Sequence, residues 1–407
     1  MREDLRSHTL TSHGKSLGGK LLNQFHKTKK SAAVLKHAII DQYATPFASK
    51  TGSRSIDNRV AFIDGYAGPG RYEDDEEGSG AMLLRKAHEL AKLPRKLELH
   101  FVEDDAKTVA QLRKVVEAEG TDVKTTITDG DISEHLPELL KQSGGIPLFV
   151  YLDPCGLTIP LDEVVRIFDR ARGIGAPATE VLINLTAHLR RFAGMLNSPK
   201  PVEGSLKRID AVCGGAWWRD AWLECPTKNA SEDQKMAAEE AVVAGYAEKL
   251  RERVGGAGTW IVDVRPRADL KPVYYLVFAT LHSDGMIAFG ESSSLGLERW
   301  RKYHAELAAE GTFFAADSAW EKDWNAQEAK LKAKWVDDLA DRLTNELAKG
   351  EPFGIIDKSR EVLGDDLAGV VRGLHLRAAI KQVLAAGKTS TDPKGVTDLW
   401  HLTLKPV

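Results

Sequence analysis

Between about residues 58 and 190 the chain repeats one rhythm: a short β-branched or aromatic run, a turn, then an amphipathic stretch at helical spacing. Such alternation specifies a parallel sheet, because parallel neighbours need a crossover of a dozen or more residues, usually a helix. The expected strands are 59–64, 97–103, 123–128, 147–153 and 180–185, with helices over about 79–92 and 105–119. The fourth run is apolar almost throughout, which suits a strand covered on both faces.

Residues 189–258 then read as helical and irregular. Two further strands, 260–264 and 273–279, follow with only eight residues between them, too few for a crossover, so this pair must run antiparallel. A parallel sheet that finishes with one antiparallel strand is unlike the usual dinucleotide dehydrogenase. It fits the S-adenosylmethionine (SAM) methyltransferase version of the doubly wound, Rossmann-like α/β fold. At roughly 100–200 residues per domain, the chain should hold two or three domains. Residues 1–55 read as a basic, helical N-terminal segment and 56–310 as a SAM-methyltransferase-like domain with its helical insertion at about 189–258. A shift to Trp, Lys, Asp, Glu and Ala marks a connecting helix over 311–351, read as a solvated link. Residues 352–407 run helix, helix, hairpin, with 399–404 alternating like a strand, which resembles a small winged helix.

With 43% hydrophobic and 28% charged residues, the composition excludes disorder, collagen and coiled coil. Formal charge is only −3, so affinity for nucleic acid has to rest on local patches. Residues 1–36 carry eight Lys/Arg against two acids, and 370–407 carry six against two. Cys155, Cys213 and Cys225 are too few for a disulfide framework and form no C-x-x-C pair, which points to a reducing cytoplasm and to no metal centre. No apolar run reaches the ~18–20 residues of a membrane span, and the N-terminus lacks the apolar core of a signal peptide.

The candidate site follows from the strand ends. The first strand runs into Asp64-Gly65-Tyr66-Ala67-Gly68-Pro69-Gly70, where glycines allow a sharp turn and close approach to a ligand. Asp64, Gly65, Gly68 and Gly70 are expected to hold the amino-acid half of SAM. The second strand ends in Glu103, placed to accept from ribose hydroxyls, and Asp131 follows the third, where an acid could meet an adenine amino group. Each acid taken singly also reads as a solvated cap. Glu73, Asp74, Asp75, Glu76 and Glu77 would repel a pyrophosphate and tolerate a cationic sulfonium, or form a plain acidic surface loop. The fourth strand ends in Asp153-Pro154-Cys155-Gly156. A side-chain oxygen and a backbone carbonyl here could orient an amine acceptor's lone pair, catalysis mainly by positioning. Cys155 has three open roles: thiol nucleophile, small packing residue, or pocket lining. Beyond Asn184, His188, Arg190, Arg191 and Phe192 lie near the same edge, the arginines suiting phosphates or the acids 73–77 equally. Trp217-Trp218 suits helix packing or base stacking.

His26-Lys27-Thr28-Lys29-Lys30, Lys36-His37-Ala38-Ile39-Ile40-Asp41-Gln42-Tyr43, the run from Phe62 through Gly70 to Asp74, and Leu152-Asp153-Pro154-Cys155-Gly156 together resemble the three-Cys-motif partner proteins (TcmP) over roughly 25–300. That resemblance implies a class I SAM-methyltransferase-like chain and a partner protein carrying three cysteines, related to radical-SAM enzymes. It supplies no substrate. In the family's pattern Phe is commoner at the position of Cys155. The resulting expectation is a SAM-dependent methyltransferase acting on an amino group of a nucleic acid, with Asp153, Pro154 and Cys155 at the acceptor. Two alternatives stay open: a non-catalytic SAM-binding recognition subunit beside the three-Cys protein, and a C5-pyrimidine methyltransferase that uses Cys155.

Overall fold

The computed structural model describes residues 14–72, 75–171, 175–186, 196, 202–223, 230–268, 270–310 and 319–407, and for 14–32 the helical backbone only. Seven strands form one sheet: β1 (Arg59–Asp64), β2 (Lys96–Glu103), β3 (Lys124–Asp129), β4 (Leu148–Leu152), β5 (Thr179–Thr186), β6 (Gly258–Val264) and β7 (Tyr274–Thr280). Their order is 3-2-1-4-5-7-6. β1 to β5 are parallel, while β7 runs against both of its neighbours. This is the doubly wound sheet with one reversed strand that the spacing of elements calls for.

The strand period of two sorts side chains onto two faces. Val60, Phe62, Leu99, Phe101, Phe149, Tyr151 and Leu182 face a core closed by α1 (Gly14–Gly52), α2 (Ser79–Ala91), α3 (Ala106–Glu119) and α9 (Ser283–Glu310). Ala61, Ile63, Leu148, Val150, Leu152, Val181 and Ile183 face the other. That side is closed by α4 (Ile132–Gln142), α5 (Leu161–Ile167) and three inserted helices, α6 (Glu203–Cys213), α7 (Trp218–Leu223) and α8 (Glu232–Val254).

α1 positions the site. Leu35, Ile39, Tyr43 and Phe47, four residues apart, form a stripe that packs into the core between sheet and α9. Tyr43 meets Phe278 of β7 edge-on at 5.2 Å and Phe289 of α9 at 5.4 Å. Three polar contacts seven residues apart fix the helix along the strands: Lys36 with Asp153, Tyr43 with Glu180, and Lys50 with Asp284 at 3.9 Å. At 1.5 Å per residue the first and last lie about 21 Å apart, so α1 spans the sheet from edge to edge.

A third core joins α10 (Ala319–Leu347), α11 (Ser359–Leu367) and α12 (Gly373–Ala385). Trp335, Leu339, Leu343 and Leu347 of α10 are buried in it, so the helix read as a solvated link is a full member of this core. The strand expected over 399–404 shrinks to β9 (Thr403–Leu404), paired with β8 (Phe353–Gly354). Leu399 and Trp400 are both buried, which consecutive residues of a half-exposed strand cannot be. With one further bridge, Thr389 to Pro406, this pairing falls short of a winged helix's sheet. Among the described residues no helix is long and apolar enough to cross a membrane.

Candidate active site

The carboxyl ends of β1, β2 and β4 and the turn after β3 carry the expected site residues, with Asn184 of β5 bonded to one of them. The turn after β1 is tied to both neighbouring strands: Gly65 N–H donates to the Tyr151 carbonyl and Ala67 N–H to the Val102 carbonyl, each at 2.9 Å. Backbone at positive φ makes the bend at Gly68 (+61°) and Gly70 (+80°). A Cβ at position 70 would meet Leu112 and Val115 at 3.1–3.2 Å, whereas at position 68 nothing lies within 4 Å. Gly68 therefore faces open space. Its N–H donates to Glu103 Oε2 at 2.9 Å, and Glu103 Oε1 accepts from the N–H groups of Asp104 and Asp105 at 3.1 Å each. Turn and β2 acid thus form one hydrogen-bonded unit.

Asp64 is fully buried. Tyr66 N–H donates to its Oδ1 at 3.2 Å, but Oδ2 has no hydrogen-bond partner, and the neighbouring Ser79 hydroxyl donates to the Ala67 carbonyl at 3.4 Å instead. Burial pushes this carboxyl up to about 7 against the opposing pull of the nearby Ser79 hydroxyl and the Tyr66 N–H; Asp153 adds to the shift and Lys36 opposes it. Asp131 is the N-cap of α4, accepting from Ser133 N–H at 2.7 Å, with its side chain exposed. Tyr66 reaches the same side: burial raises its phenol, and the charges of Asp131, Asp104 and Glu163 add to that.

At the end of β4 both oxygens of Asp153 are engaged. Lys36 Nζ donates to Oδ2, and Asn184 Nδ2 donates to Oδ1 at 2.7 Å. Lys36 also sits 5.6 Å above the Tyr274 ring. Burial disfavours its ammonium, yet Asp153 together with Tyr274 and Tyr72 outweighs that and lifts the pKa above the ordinary lysine value, so Lys36 is a fixed cation. Burial and Lys36 together push His37 down to about 4, leaving it neutral. Its ring stacks with Tyr72 at 6.5 Å, and Tyr72 is 47% exposed. Burial raises the Tyr72 phenol while Lys36 opposes, with Asp153, Asp64 and Cys155 adding to the rise. An exposed aromatic thus stands at this edge although the tetrapeptide 153–156 has none. Lys36 and Tyr72 are the site residues that strand-end reasoning passed over. The stripe at 35, 39, 43 and 47 is the signal that would have brought α1, and Lys36 with it, onto the sheet.

Pro154 is buried and Cys155 exposed, so the thiol does not serve as a packing residue. Of the acids 73–77, Glu73 and Asp74 lie outside the described residues. Glu77 pairs with Arg85 at 3.0 Å, and Arg71 beside them bonds Glu119 at 2.6 Å, so the loop's charge is partly compensated and selects a ligand less sharply than a bare acidic run. His188, Arg190, Arg191, Phe192 and Cys225 also lie outside the described residues. Trp218 is fully buried, donating to Asp210 at 2.8 Å, and Trp217 donates to the Cys213 carbonyl at 2.8 Å; this pair packs rather than stacks on bases. A cavity of about 780 Å³ opens at the opposite edge of the sheet, lined among others by Tyr43, Lys50, Arg54, Pro147, Glu180 and His282, away from the glycine turn.

No family model and no curated protein matches the chain. Among solved structures, a geranyl diphosphate methyltransferase in complex with GPP and sinefungin is similar over 58% of this chain and 77% of that one, at 10% identity and a TM-score of 0.24. So slight a likeness carries no argument about this chain. The fold is fixed by strand order: 3-2-1-4-5-7-6 with β7 reversed is a Rossmann-like sheet of the methyltransferase kind.

Proposed function

We propose that this chain is a SAM-dependent methyltransferase acting on nucleic acid, and that it works beside a three-Cys protein as the TcmP resemblance implies. The observation that carries the reading is the meeting of two half-sites on one sheet edge: the turn–Glu103 unit with its open Gly68, and the Asp153 cluster. Open α/β sheets bind ligands at this edge. The unpartnered, buried Oδ2 of Asp64 suits a ligand bringing N–H donors and positive charge.

SAM, when bound, supplies a methyl group on a sulfonium. Glu103 would hold its ribose hydroxyls, Asp131 its adenine amino group, and Asp64 with Gly65, Gly68 and Gly70 its amino-acid end. Asp153 and Pro154 would hold the acceptor, with half-exposed Tyr72 as a platform for a base. Support for phosphate contact comes from the basic ends of the chain. In the last 38 residues Arg372 pairs with Glu298 at 2.7 Å and Arg377 with the carbonyls of Pro393 and Val396, which leaves Lys381, Lys388, Lys394 and Lys405 for that role.

Calorimetry should find one SAM site per chain. Glu103→Ala should weaken it about tenfold or more, since hydrogen bonds to a charged group contribute about 1.5–3 kcal/mol. No binding by the folded wild type would end the assignment. Binding without any methyl product would favour the non-catalytic recognition subunit. The exposure of Cys155 keeps the C5-pyrimidine alternative in view. A 5-fluoropyrimidine RNA or DNA should leave the wild-type mass unchanged, and a covalent adduct would establish the thiol as nucleophile.

A further inference from the structure

Lys36 occupies the edge where the acceptor must lie if the methyltransferase reading holds. On that reading we infer that the acceptor atom is a hydroxyl oxygen, and on a nucleic acid the ribose 2′ oxygen of RNA, rather than an amino nitrogen.

Lone pairs decide the matter. A hydroxyl has one O–H donor and two acceptor lone pairs. It can donate to Asp153, accept from Lys36, and still aim one lone pair at the methyl group. An exocyclic amine has a single lone pair, which methyl transfer needs, and Lys36 would compete for it. The positive charge that grows on nitrogen during transfer would also face an ammonium.

Lys36 is not easily moved aside. Its helix is held by Leu35 and Ile39 in the core, its side chain is only 13% exposed, and the Tyr274 ring lies against it. Asn184 fixes the other oxygen of Asp153, so the carboxylate cannot simply turn away.

In the step itself the acceptor oxygen bonds to the methyl carbon while the carbon–sulfur bond breaks, its electron pair going to sulfur, which leaves as a neutral sulfide. The hydroxyl proton passes to Asp153. Lys36 turns one of its three N–H donors to the acceptor oxygen and stabilises the negative charge left there as the proton departs. Asp153, 15% exposed, then returns the proton to water. On nucleic acid the 2′-hydroxyl is offered by every nucleotide of RNA and by none of DNA.

The test incubates the full chain with SAM and either total RNA or total DNA, digests to nucleosides and fragments them by mass. Methyl groups should appear on the sugar fragment of RNA nucleosides and be absent from DNA. Lys36→Gln, which keeps an N–H donor for Asp153, should lower the yield at saturating SAM about 10²-fold or more, and Lys36→Arg should restore part of it, with SAM still bound by both. Methyl groups on base nitrogens, an undiminished yield from Lys36→Gln, or SAM binding without methylated RNA would each overturn the inference. The position of the methyl in the wild-type product decides even if a variant fails to fold. Failure of the wild type to bind SAM would instead remove the reading on which the inference rests.

Discussion

Glu180 and Asp64 are buried carboxyls at opposite ends of the sheet, and burial pushes both up to about 7. Around Glu180 the Tyr43 hydroxyl donates to Oε2 and the Thr280 hydroxyl to Oε1 at 2.9 Å, which only partly offsets the loss of water. A raised folded pKa means that the folded state holds the proton longer. Stability from this group is therefore complete below its unfolded value of about 4.5 and falls as pH rises through about 7. Glu180→Gln keeps an acceptor for Tyr43 and cannot ionise. Melting curves from pH 5 to 8 should show the wild type losing stability relative to the variant, by on the order of 3 kcal/mol at most. Parallel curves would mean that Glu180 is ionised at no cost. Residues of this kind were the least legible in the sequence. Asp153 could be placed at a strand end, but its partner Lys36 lies 117 positions away, and only the packing of α1 brings the two together.

Elements were far more legible. A buried strand advertises itself by unbroken apolar runs and a surface helix by its stripe, so β1 through β7 and α2 and α3 could be read within a residue or two. Pairs of consecutive buried residues, such as Leu399 and Trp400, imitate alternation without forming a strand, and there the reading failed. The glycine turn invites a contrast between two substitutions. Gly68→Ala meets no atom within 4 Å, so its cost is the left-handed backbone alone, about 1–2 kcal/mol. Gly70→Ala adds contacts with Leu112 and Val115 to the same strain. Thermal melting should rank Gly70→Ala as the less stable. Calorimetry should find that Gly68→Ala, despite its milder effect on folding, loses more SAM affinity. Equal affinity in Gly68→Ala and the wild type would show that no ligand approaches that open face.

At the scale of the molecule the C-terminal core is not divisible at residue 352, because α10 supplies Trp335, Leu339, Leu343 and Leu347 to it. Fully burying a leucine is worth about 1.5–3 kcal/mol, so a chain ending at 351 would leave a costly apolar face in water. A chain ending at 310 removes that face altogether. It uncovers the smaller patch of Ile287 and Trp260 and gives up polar contacts of α9: Glu291 to Gly373 N–H at 2.7 Å, Ser294 to the Val370 carbonyl at 2.6 Å, and Glu298 to Arg372. Light scattering should show 1–351 aggregating where 1–310 stays monodisperse, and the reverse order would mean that α10 is held by something other than this core. The placement of α1 carries a further consequence, for the order of events at the ribosome. Tyr43 packs on Phe289, made 246 residues later, and Lys36 waits for Asp153. Phe62 and Phe149 reach Phe47 and Tyr43 sooner, but at about 5–20 residues per second the side of the stripe that faces Phe289 stays uncovered for roughly 10–50 s of synthesis. Until its last third arrives, such a nascent chain keeps part of that stripe in water, the kind of exposed apolar surface that makes folding intermediates prone to aggregate.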